Sequence, residues 1–197
     1  MQNIPFLWAG AMALFTVGSC ASPLGRGKYE TPKYDTVISD GAFEVRDYSE
    51  IVVASAPMKA GRSNQNSAFM NLFRYISGDN EKSTKIAMTT PVFGSGEEGE
   101  RVMSFVVPAG IVAGGVPEAM NDQVTIGKRQ AGRFAVYRYS GRWSEDLERK
   151  GREKLQAWMN ERGLEAVGPF EKANYDPPFT PPPLRRNEVL VRVRKDS

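Results

Sequence analysis

The chemistry open to this chain is set first by what it lacks. Among its 197 residues there is no histidine and a single cysteine, Cys20. Ser-His and Cys-His nucleophile pairs and nearly all zinc-hydrolase ligand sets are therefore excluded, and no Ser-x-x-Lys supplies the alternative serine base. Glu145, Asp146 and Glu148 stand together, but at the start of a helical pattern they read as a solvated first turn suited to the positive end of the helix. Gly94-Ser95-Gly96-Glu97-Glu98-Gly99 has the spacing of a pyrophosphate loop. With a strand expected on either side, no helix N-terminus and two carboxylates inside it, it reads as a hairpin loop. Binding chemistry is the leading reading of what remains, with carboxylate chemistry by Glu and Tyr left open. Met70 and Arg74 lie four residues apart on a flank that the core stripe of their helix does not use, and Met88, Tyr175 and Phe179 add soft or aromatic surface. Such a surface suits a flat apolar ligand carrying carboxylates. Each of these residues also fits ordinary packing, and for Met88 both readings stand.

The elements that must position them follow from periodicity. Phe43–Tyr48, Ile51–Ala56, Lys85–Phe93 and Val102–Val107 are rich in β-branched and aromatic residues and are expected as strands, with a helix over Ser63–Ile76 between the second and third. Val124–Lys128, Arg133–Tyr139, a helix over Ser144–Glu161, Phe170–Tyr175 and Glu188–Val193 repeat that order roughly 80 to 85 residues later. Phe69, Leu72, Phe73 and Ile76 make one apolar stripe, and Leu147, Gly151, Leu155, Trp158 and Met159 make another. The expected fold is α+β: a distorted antiparallel β-barrel of two strand-strand-helix-strand-strand halves with two flanking helices. Lys85 to Val92, read as KIAMTTPV, would be the third strand of the first half, kinked or at an edge because Pro91 cannot donate to a ladder.

The N-terminus has a separate character. Ile4 to Val17 is apolar and ends in Val17-Gly18-Ser19-Cys20, the pattern of a secretory signal with a lipobox-like end, although its n-region lacks Lys and Arg. Simple secretion and an uncleaved anchor remain open beside lipidation of Cys20. The organisation expected is a signal over 1–20, a Gly/Pro-containing tether over 21–36, and one domain over 37–197. The net charge is +3 with basic residues spread along the chain, which argues against a nucleic-acid partner. Five prolines between Pro177 and Pro183 force an extended path, read as a rigid loop against the domain. Arg185 and Arg186 read as clamps on carboxylates such as Glu188 or on helix C-termini.

KIAMTTPV, joined to Tyr175–Val189 read as YDPPFTPPPLRRNEV, resembles the SOUL / heme-binding-protein family, whose members carry K-I-x-M-T-x-P-V and Y-x-P-P-x-x-P-x-x-R-R-N-E-V. The resemblance spans Tyr29 to Val193. It implies two β-α-β-type halves in a distorted barrel, a fold similar to the effector-binding domains of bacterial multidrug regulators, and heme or a related tetrapyrrole as ligand. In the best-known subgroup the ligand lies in an exposed apolar cleft beside the first helix. Arg74 falls where the family has a cation and becomes the candidate for propionate contact, while two other cationic positions fall at Asn66 and Thr180. Axial ligation by histidine is impossible here, so Met, Tyr or Lys would have to ligate iron. With the leader, the resemblance implies an exported bacterial envelope protein, periplasmic and membrane-anchored through Cys20, that carries or buffers a tetrapyrrole without catalysis. Two alternatives are an envelope structural or interaction protein that has lost the ligand site, and a receptor for another small amphipathic ligand.

Overall fold

A computed structural model describes residues 28–58, 62–96 and 100–194, with the backbone alone for 62–66. The expected signal, Cys20 and the tether up to residue 27 lie outside the described residues, as do Glu97 and Glu98. The order is β1 (Tyr34–Asp40), β2 (Phe43–Tyr48), β3 (Ile51–Pro57), α1 (Arg62–Ile76), β4 (Val92–Ser95), β5 (Val102–Val106), α2 (Ala109–Ala113), β6 (Thr125–Arg129), β7 (Gly132–Tyr139), α3 (Glu145–Glu161), β8 (Ala166–Asn174) and β9 (Asn187–Val193). Among the described residues no helix is long and apolar enough to cross a membrane.

The nine strands of the described residues form one antiparallel sheet in the order β1-β2-β7-β9-β8-β4-β5-β3-β6. The α+β class is as expected, but the ladder ends at β1 and β6 and the sheet is not a closed barrel. Its concave face is nonetheless tightly curled: the Arg129 guanidinium of edge strand β6 lies 5.3 Å from the Tyr48 ring of β2, near the opposite edge. The two halves also exchange their leading strands. β2 joins β7-β9-β8 of the second half, and β6 joins β4-β5-β3 of the first.

Three clusters of buried side chains follow from strand alternation, since successive residues point to opposite faces. Ala54, Ala56, Phe105 and Val107 face outward under α1 and meet Ala68, Leu72, Tyr75 and Ile76. Val45, Ala135, Val189 and Val191 face outward under α3 and meet Leu155, Trp158 and Met159. Tyr48, Phe93, Val106, Phe134, Val136 and Leu190 point to the inside of the curl. The α3 N-cap is Ser144, whose Oγ accepts from Leu147 N at 3.2 Å, which offsets one orphan amide of the first turn.

Four local expectations change. β1 starts at Tyr34, inside the expected tether, and carries no strand signal because six of its seven residues are exposed. KIAMTTPV is not a strand over most of its length: apart from an isolated bridge between Thr89 and Glu30, ladder pairing begins only at Val92, after Pro91, which has no N–H to give. The preceding residues are held by scattered bonds, Ile86 N to Ile76 O at 2.8 Å and Thr89 Oγ1 to Val106 O at 2.8 Å. β4 is also interior to the sheet, between β8 and β5, rather than at an edge. Finally, the α1 stripe is displaced: Leu72 and Ile76 are buried, whereas Phe69 and Phe73 are exposed, and Ala68 and Tyr75 take the core positions.

Candidate functional site

On α1, residues 69, 70, 73 and 74 are neighbours at spacings of one, three and four and so form one continuous patch. Phe69, Met70 and Phe73 are large apolar side chains left exposed, Phe73 by 46%, and Arg74 is exposed beside them. The two phenyl rings lie nearly parallel, with centroids 6.1 Å apart and planes 12° apart, and Phe69 is anchored edge-on to the buried Phe105 ring at 5.5 Å. Aromatic pairs in such geometry hold each other in place. Among the described residues Arg74 makes no ion pair, so its guanidinium is available for an anion. Exposed apolar residues matter when contiguous and rimmed by charge, and this patch meets that description.

Helical spacing singles out Met70 and Arg74 as a flank but places Phe69 and Phe73 in the core stripe. Helical period alone cannot separate an apolar core stripe from an adjoining apolar ligand stripe. The available signal was excess: apolar residues at 68, 69, 70, 72, 73, 75 and 76 span more of the circumference than one sheet contact needs. Met88 is half-buried against the cluster beneath α1, close to that helix but largely given to packing.

Tyr175 and Phe179 are not brought to the patch. The Tyr175 phenol is buried inside the curl and donates to Glu188 Oε2 at 2.9 Å. Burial drives it well above a phenol's usual value, with the Glu188 charge adding to the rise, so it is a neutral donor rather than an iron-binding phenolate. Phe179 stands 84% exposed on the proline segment, and among the described residues no ring contact joins it to α1. Thr180, where the family carries a cation, is buried.

The Tyr175–Val189 segment instead builds the interior. Glu188, completely buried, accepts from Arg46 Nη1 at 2.9 Å and Nη2 at 3.0 Å, and from Arg186 Nε at 2.9 Å and Nη2 at 2.6 Å. Burial pushes the Glu188 carboxyl up, but Arg46 and Arg186 pull it down further, and the net direction is below the usual carboxylate value. Burial pushes the adjacent Tyr48 up to about 12 against the pull of Arg46. Arg186 thus clamps Glu188 as expected, whereas Arg185 holds the proline loop itself, donating to Thr180 O at 2.7 Å and to Pro178 O. Asn187 Nδ2 donates to Gly141 O at 3.0 Å, and Gly141 N to Pro182 O at 2.9 Å, which fastens the loop to the start of α3. Glu148 is a further correction: it is buried, not solvated, accepting from Trp143 Nε1 at 2.8 Å and from Arg152. Asp146 stays exposed and pairs with Arg149 and Lys150. Among the described residues no carboxylate cluster could hold a metal ion.

A flat tetrapyrrole with propionates fits the α1 patch chemically. Phe69 and Phe73 offer apolar area, Arg74 a cation and Met70 a thioether of the kind that can ligate heme iron.

The family model described as SOUL heme-binding protein matches residues 29–192. Comparison with curated protein sequences finds no match. Among solved structures, the EcmrR C-terminal domain is similar at 12% identity and a TM-score of 0.58, covering 83% of this chain and 99% of that one. EcmrR in its complex with DNA gives 12% identity and a TM-score of 0.59, covering 78% and 57%. A hydrolase from Listeria innocua gives 10% and 0.53, covering 80% and 94%. At these identities the likeness is one of fold alone.

Proposed function

The chain belongs to the SOUL heme-binding protein family, and on that premise we propose that it is an exported, lipid-anchored carrier or buffer of heme or a related tetrapyrrole, with no catalytic step. Membership of the family implies tetrapyrrole binding. The observation that carries the choice of site is the α1 patch, where two stacked phenyl rings, a thioether and a guanidinium with no ion pair among the described residues lie together on the surface. Phe69 and Phe73 would hold the macrocycle by contact, Arg74 would take a propionate, and Met70 is the axial-ligand candidate. Cys20 would carry the lipid and tie the domain to the periplasmic side of a membrane, which suits capture and handover rather than turnover.

Hemin titration of the full chain tests the site. Saturable binding with a Soret shift is expected, abolished by Phe73→Asp and weakened at least about fivefold by Arg74→Gln, the loss typical of one charge-assisted hydrogen bond. Met70→Leu should alter the ferric spectrum if the thioether ligates. No saturable shift at micromolar hemin, or one unchanged by both Phe73→Asp and Arg74→Gln, refutes the assignment. Incorporation of labelled palmitate that is lost in Cys20→Ser tests the anchor.

A further inference from the structure

On the same outer face of the curled sheet as the proposed heme patch, but over the strands that α3 covers, a groove of about 370 Å³ runs between α3 and β7. Its floor is aromatic. Tyr137 and Tyr139 share a face of β7, and their rings are stacked at 5.9 Å and 18°. Phe43 continues the stack, 4.7 Å from Tyr137 and 5.2 Å from Trp158. The wall is one line of the helix, Leu147, Lys150, Lys154 and Ala157, at spacings of three, four and three. Gly151 lets α3 lie close over the floor: a Cβ there would sit 3.4 Å from Tyr139 Cε1.

The charges along that wall are unequal. Lys150 is paired with Asp146 Oδ2 at 2.8 Å, and Glu153 with Arg149 Nη1 at 2.6 Å. Lys154 has no carboxylate partner among the described residues. Its ammonium lies 3.4 Å from Tyr137 Oη and 5.7 Å from the centre of that ring. Tyr139 Oη is buried and has no hydrogen-bond partner among the described residues, a condition that costs free energy until an acceptor arrives. Burial, with the Glu148 charge adding to it, raises the Tyr139 phenol above its usual value, so it stays protonated and able to donate.

We propose that this groove is a second binding site, for a small planar aromatic carboxylate of one or two rings, stacked on Tyr137 and Tyr139 with its carboxylate on Lys154. The volume lies at the low end of small-molecule pockets. The floor supplies flat apolar area, and Lys154, without a carboxylate partner among the described residues, selects an anion over a neutral ring. Nothing here depends on α1, so the site stands or falls independently of heme binding.

Calorimetric titration of the full chain with 2-naphthoate is the test, with 2-naphthamide as the neutral isostere. Saturable binding of the carboxylate is expected, with the amide at least about fivefold weaker. Lys154→Gln should remove that preference, bringing the carboxylate down to the amide, while hemin binding is unchanged. Gly151→Leu should abolish binding of both by filling the groove; Lys154, being exposed, gives a variant that folds whatever Gly151→Leu does. Absence of saturable binding up to millimolar naphthoate, equal affinity for acid and amide, or an affinity indifferent to Lys154→Gln each overturn the proposal. So does competition of naphthoate by hemin in proportion to occupancy of the α1 patch.

Discussion

Replacing Glu188 by Ala should unfold more of this protein than any other single change to a charged residue. The carboxylate is fully buried and accepts five hydrogen bonds, four from Arg46 and Arg186 and one from Tyr175. Arg46 is itself only 1% exposed, and after the change it keeps Glu44 Oε2 at 2.6 Å and Tyr48 Oη at 3.0 Å. A buried guanidinium that loses its principal counter-charge cannot regain water, and breaking such a pair costs about 3–5 kcal/mol. For a chain of this size each kcal/mol lowers Tm by roughly 2–4 °C, so a fall of about 6–20 °C is expected. Removing both charges in Arg46→Met/Glu188→Leu should cost less than Glu188→Ala alone, because no buried Arg46 charge is then stranded, while Arg186 can reach solvent. Urea unfolding followed by tryptophan fluorescence, with thermal melts by circular dichroism, measures all variants. A loss under about 1 kcal/mol for Glu188→Ala, or a double variant as damaged as the sum of the singles, would refute the reasoning.

The same cluster sets an acid limit. Glu188 is held below its ordinary value of 4.5 in the folded state, so its contribution is complete above that value and is lost as pH falls through the folded one; the urea midpoint should drop more steeply below about pH 4.5 in the wild type than in Glu188→Gln. Asn80→Ala should cost about 2–4 kcal/mol, since the amide donates to Tyr75 O and Thr84 O and accepts from Thr84 N, joining the end of α1 to the residue just before KIAMTTPV; chemical denaturation checks it. Thr89→Val leaves Val106 O without its buried donor and should cost about 1–3 kcal/mol by the same measurement. Gly151→Ala places its methyl at ordinary contact distance from Tyr139 and Val189 and should raise stability by up to about 1 kcal/mol through helix propensity, read as a higher Tm.

Much of the secondary structure was legible because it is amphipathic. β2, β3, β7 and β9 alternate or run apolar, and α3 buries Gly151, Leu155, Trp158 and Met159 at helical spacing. β1 was illegible for the converse reason: an edge strand with almost no buried face carries no hydrophobic period. KIAMTTPV is apolar enough to suggest a strand, but its apolar residues are there to pack and its bonds go to the end of α1 and the side of β5. At the candidate site Met70 and Arg74 were legible as a flank. Phe69 and Phe73 were not, because spacing fixes which residues share a helix face but not where the sheet beneath that face ends. Glu188 is buried on the strength of Arg46, a partner 142 residues away in the chain, and Glu148, though bonded locally by Trp143 and Arg152, is buried only because of how α3 seats on the sheet.

By itself the amino-acid order determined the absence of histidine-based chemistry, the two repeated halves, the proline segment and the family. Local periodicity and residue type suffice for those, since each is a property of a short stretch. Only the tertiary structure decided that the halves trade their leading strands, that the curled sheet stays open, and that Tyr175 belongs to an internal ion cluster while Phe69 and Phe73 face out. These outcomes depend on which surfaces meet, and pairing partners separated by scores of residues leave no mark in either sequence segment alone.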